Sequence, residues 1–87
     1  MEDTKIAMMM AAGKALDYKK SNPDAESAEI MQHIMVNVGA TGNAKISAIA
    51  AADRALKYKE ENPRANDKEI MQRVMNESSE IIDATGE

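Results

Sequence analysis

The chain has 87 residues, no cysteine, two aromatic residues (both Tyr) and a formal net charge of −4. A chain of this length reads as one small domain, over residues 1–87, that buries only about 60–65% of its unfolded surface. The lack of cysteine excludes a disulfide framework and a thiolate metal site, and no stretch approaches the roughly 18 apolar residues of a membrane span.

With Phe and Trp absent, the core falls to Ile, Leu, Val, Met and Ala. That composition suits helix packed on helix better than sheet. The first expected helix contains the apolar run Ile6–Ala12. Residues 1–5 before it are acidic rather than basic and Lys14 interrupts it, so it reads as helix and not as a targeting signal. Asp3 is its expected N-cap. Pro23 in Ser21-Asn22-Pro23-Asp24-Ala25 lacks an N–H and disfavours helical geometry at Asn22, so the helix should stop there. Tyr18, five residues before the proline, is expected to pack over the turn. In the second helix Ile30, Met31, Ile34, Met35 and Val38 form one stripe. Its start falls at Glu26, with Asp24 or Ser27 as alternative caps. Gly39 is expected to end it in the left-handed conformation.

From Asn43 the chain repeats itself. Residues 3–37 and 43–77 align without a gap at an offset of 40, with 16 of 35 positions identical, and residues 38–42 link the copies. Such similarity marks duplication of one structural unit. In the third helix Ile46, Ala48, Ile49, Ala51, Ala52, Ala55, Leu56 and Tyr58 make a broad apolar arc. Ser47, Asp53, Arg54 and Lys57 take the polar side, and Asn43 is the expected N-cap. In the fourth, Asn66-Asp67-Lys68-Glu69 has capping-box spacing. Its stripe, Ile70, Met71, Val74, Met75, Ser78, Ile81 and Ile82, outruns the repeat, and Ala-Thr-Gly recurs late at Ala84-Thr85-Gly86. One helix longer than its counterpart is therefore expected. Neither hairpin can bury its arc alone. The expected fold is all-α: a four-helix assembly of two tandem helical hairpins related by a pseudo-twofold, with pairing between chains equally compatible with the sequence.

Little here carries chemistry. His33 is the sole histidine, one turn after Glu29, and its counterpart is Arg73 after Glu69. A position that accepts Arg reads as a helix-surface partner for glutamate rather than a metal ligand. No nucleophile–base set comes together on helical spacing and no phosphate loop follows a strand. The expectation is no enzyme, no metal and no cofactor.

Binding is left. The two copies carry four basic and five acidic residues, then seven and six, so the net charge resides in Glu2, Glu80, Asp83 and Glu87 outside them. Nucleic-acid binding of helix–turn–helix type requires a coherent basic face. Arg54, Lys57, Arg64, Lys68 and Arg73 are the candidate contacts, interspersed with acids. Met9, Met31, Met35, Met71 and Met75 fall on core stripes. Met10 and Val36 fall off them, where the second copy has Ala50 and Asn76. They are the candidate partner surface. Gln32/Gln72 and Lys19/Lys59, identical in both copies, have no packing role evident from sequence. The reading is a small cytoplasmic module that binds a protein partner or itself as a homodimer. A nucleic-acid-binding regulator is the alternative, and no membrane is involved.

Overall fold

The computed structural model describes residues 2–85, with side chains from residue 3. Glu87, Gly86 and the side chain of Glu2 therefore lie outside the described residues. Five helices follow one another: α1 (Glu2–Ser21), α2 (Ser27–Asn37), α3 (Gly42–Glu61), α4 (Asp67–Asn76) and α5 (Ser78–Thr85). No strand occurs among the described residues. The radius of gyration, 11.8 Å, matches the roughly 12 Å of a folded chain this long.

The long helices α1 and α3 lie against one another along their length within the chain. Alanine makes this possible: Ala11, Ala12, Ala15, Ala48, Ala51, Ala52 and Ala55 are all buried, and short side chains bring helix axes close. The central pair is covered on both sides. On one, Ile30 and Ile34 of α2 close over Ala11, Ala15, Ala52 and Leu56. On the other, Ile70 and Val74 of α4 and Ile81 of α5 close over Met8, Ala12, Leu16 and Ala55.

Both turns end their helices as the prolines require. Asn22 N–H donates to Tyr18 O and Asn62 N–H to Tyr58 O. Lys19 and Lys59 then acquire the role that sequence left open. Lys19 Nζ donates to the carbonyls of Pro23 and Ala25, each at 3.0 Å, and Lys59 Nζ to that of Ala65 at 2.8 Å. An ammonium at a helix C-terminus satisfies carbonyls that the turn leaves unpaired. Gln32 and Gln72 are exposed.

Several expectations are corrected. The single long last helix is broken at Glu77 (φ −98°, ψ 4°), because the Glu77 side chain is drawn onto α3 by Arg54 and Tyr58. Asn43 lies inside α3, whose N-cap is Thr41. The left-handed glycine is Gly42 (φ 61°), not Gly39. Ser47, placed on the polar side, is buried, while Ile46, placed on the apolar arc, is half exposed. Ser47 is satisfied by a 2.7 Å hydrogen bond with Thr85 Oγ1. Met35 and Met75 lie at the exposed edge of their stripes, and Met8 is the methionine sealed in the core. The capping box forms: Asn66 Oδ1 accepts from Glu69 N–H and Glu69 Oε1 from Asn66 N–H. At the start of α2, Glu26 is the N-cap and makes no side-chain cap bond. Ser27 instead donates from α2 to Glu60 of α3.

Candidate functional site

The exposed side of α1 carries the candidate site. Met10 is 58% exposed, and so is Ile6 one turn before it. Together they form a ridge between two grooves. One, of about 490 Å³, runs between α1, the end of α2 and the 38–41 linker, with Ala7, Ile34 and Val38 in its walls. The other, of about 430 Å³, lies toward α4 and is lined by Met9, Met75 and Ser78. Val36, 78% exposed, lines neither of these grooves. It is two residues past Ile34, which faces the core, so a helical turn of about 200° carries it to the outer side of α2. Met10 and Val36 therefore share neither groove. Ile6 is the companion of Met10, and the sequence signal was available, since the two are one turn apart on the same helix.

The first groove is charged at its two ends. Lys14 and Asp3 both line it, and neither has an ion-pair partner among the described residues. They are eleven residues apart on one helix, so about 16 Å separates their levels.

The candidate nucleic-acid contacts are dispersed and largely engaged. Arg54 donates to Glu77 at 2.7 Å and lies 3.7 Å from Glu80. Lys57 sits 3.6 Å from Asp53. The Arg73 guanidinium lies over the Tyr58 ring, 3.8 Å from its centroid, and its Nε is 3.6 Å from Glu77. Thus Arg73 pairs with Glu77 and Tyr58, whereas the expected partner Glu69 is held in the capping box. Arg64 and Lys68 point to solvent.

His33 similarly stacks on Tyr18, 4.5 Å between centroids, while the Tyr18 hydroxyl donates to Glu29 at 3.2 Å. The tyrosines therefore reach α2 and the end of α4 instead of covering the turns. Desolvation, then the hydrogen bond and charge of Glu77, raises the pKa of Tyr58. The Tyr18 phenol is raised in the same way, with Glu29 as the acid. Glu77 is held below the usual carboxylate range, first by the Tyr58 hydroxyl and then by Arg54 and Arg73, with desolvation opposing. Glu77 in turn raises Arg54.

A further concavity, of about 380 Å³, lies between the two Asn-Pro turns, lined by Leu16, Leu56, Pro23 and Pro63. Its charges are already used: Lys20 and Lys59 approach Asp67 at 3.6 and 3.8 Å. No group of three or more His, Cys, Asp or Glu among the described residues is placed to hold a metal ion. None of the helices described is long and apolar enough to cross a membrane. Compared with protein-family models, with curated proteins and with solved structures, the chain matches none.

Proposed function

We propose that the chain is two copies of one helical hairpin, related by a pseudo-twofold axis along the α1–α3 seam, acting in the cytoplasm as a non-enzymatic protein-binding module. The recurrence of α1 (Glu2–Ser21) as α3 (Gly42–Glu61), 40 residues on, supports the duplication. So do the matched lysine staples at the two turns. The α5 helix is then an addition to the second copy.

The observation that carries the binding reading is the Ile6–Met10 ridge with an apolar groove on either side. Contiguous exposed apolar surface costs solvation free energy, and proteins keep it where a partner covers it. The nucleic-acid alternative draws less support, because Arg54, Lys57 and Arg73 are neutralised by Glu77, Glu80 and Asp53.

The test compares wild type with the double variant Ile6→Ser/Met10→Ser, matched in circular dichroism and melting. Each is tagged and presented to lysate with and without nuclease, and sedimentation is run in parallel. A stoichiometric protein, or a second copy, held by wild type and released by the variant supports the module. Recovery of nucleic acid, with protein lost on digestion, overturns it.

A further inference from the structure

The α5 helix shows what the first hairpin lacks. On α3, Arg54 holds Glu77 and Glu80 at the start of α5, and Ser47 bonds Thr85 at its end. Because Arg54 follows Ser47 by two turns, α5 runs antiparallel to α3. Its aliphatic anchor is Ile81, buried between these polar clasps.

Moving back 40 residues gives the corresponding positions on α1. Arg54 becomes Lys14, Ser47 becomes Ala7 and Ala50 becomes Met10. All three line the 490 Å³ groove. The helix that would cover them is missing from the first copy. Glu77, Glu80 and Ile81 become Asn37, Ala40 and Thr41, and the chain crosses there to begin α3 at Gly42. The groove thus keeps the cation of the α5 seat and gains apolar surface, without the carboxylates or the isoleucine.

We infer that this groove is the uncovered counterpart of the α5 seat, and that it takes a short amphipathic helix of a partner protein lying antiparallel to α1. This deepens the binding reading above and rests on it. Charge complementarity states the occupant's chemistry. A Glu or Asp at its N-terminal end meets Lys14, and a Lys or Arg at its C-terminal end meets Asp3. Branched aliphatic residues between them pack on Ala7, Met10 and Val38. The polarity is also the one a helix dipole favours, with acid at the start and base at the end. A second copy's α5 fits worse, since it carries no base at its end and would have to leave its own seat.

The probe is an acetylated peptide with the order of residues 77–84 followed by two lysines, added to the full ¹⁵N-labelled chain. Amide shifts are expected at Ala7, Met10, Lys14 and Val38, with Ser47 and Arg54 of the α5 seat and α5 itself unmoved. Lys14→Glu, an exposed substitution whose fold is checked by circular dichroism, should weaken binding roughly 2- to 5-fold. A peptide with its glutamates changed to lysine should bind that variant better than wild type. No shifts at the groove with millimolar peptide, shifts on the α3 side alone, or indifference to Lys14→Glu would each overturn the inference. The same shifts produced by raising the concentration of the chain alone would overturn it in favour of self-association. If the peptide fails while Ile6→Ser/Met10→Ser still releases a partner, the binding reading stands and only the helical occupant falls.

Discussion

Arg54 donates to Glu77 at 2.7 Å, joining the middle of α3 to the single residue at which the last helix breaks. The Tyr58 hydroxyl donates to the same carboxylate oxygen. Glu77 is thus the hinge and the anchor of α5 together. Its own N–H still donates backward to the carbonyls of Arg73 and Val74, and its carbonyl accepts from Ile81 N–H. The break therefore leaves none of these groups unpaired.

If this clasp positions α5, removing it should loosen α5 before the rest of the molecule. For Glu77→Ala we expect a loss of about 1–3 kcal/mol, the range for charge-assisted bonds whose donors are left without their acceptor. Hydrogen exchange should quicken first at residues 79–85 while α1 and the first half of α3 keep their protection. Uniform acceleration over all helices would show that Glu77 does not act locally.

The clasp also predicts the acid limb of the stability curve. Glu77 titrates lower in the folded chain than the ordinary glutamate value of about 4.3. A depressed carboxylate contributes stability that is full above its unfolded pKa and fades as pH falls through the folded one. Stability should therefore hold through the neutral range and decline below about pH 4. Denaturant titrations of Glu77→Gln across that range should show a shallower decline than wild type. An equal slope would remove Glu77 from the explanation.

Lys19 and Lys59 should matter for the turns and not for a partner. Lys59→Met keeps the aliphatic stem and removes the bond to Ala65 O, together with the 3.8 Å approach to Asp67. A loss of about 1 kcal/mol is expected. A calorimetric melt checks it, and Lys19→Met should cost a similar amount through Pro23 and Ala25. No change in either variant would mean the ammonium groups are solvated.

Met8 and Met10, two residues apart, should respond oppositely. Met8 is fully buried among Ala12, Ala51 and Ile81, so Met8→Ala opens a cavity and should cost about 2–4 kcal/mol. Met10 is mostly exposed, and Met10→Ala should stay within about 0.5 kcal/mol. Chemical denaturation of the two variants decides it. Comparable losses would contradict the orientation of α1.

Much of the architecture is legible in the order of residues. Alanine-rich arcs, two Asn-Pro punctuations and a gapless repeat specify helices and the turns at the prolines, because each is a local consequence of backbone sterics or periodicity. The capping box at Asn66 and Glu69 belongs here too, since four neighbouring residues close it. Of the candidate surface, Met10 is legible because its counterpart Ala50 exposes the departure from pattern. Its grooves are not, since their walls come from α2, α4 and the linker.

What sequence by itself determined was therefore the all-helical class, the turn positions and the register of one copy on the other. What only tertiary structure decided were contacts between groups far apart in the chain. The bond between Ser47 and Thr85 makes a polar residue part of the interior. Convergence of Arg54 and Tyr58 on Glu77 breaks a helix whose apolar stripe runs on unbroken. Helical periodicity reports whether a face is apolar, but burial depends on what another element lays against that face. Met8 faces the core cluster that Val74 and Ile81 complete, whereas Met10 faces outward, a difference of neighbours and not of residue type.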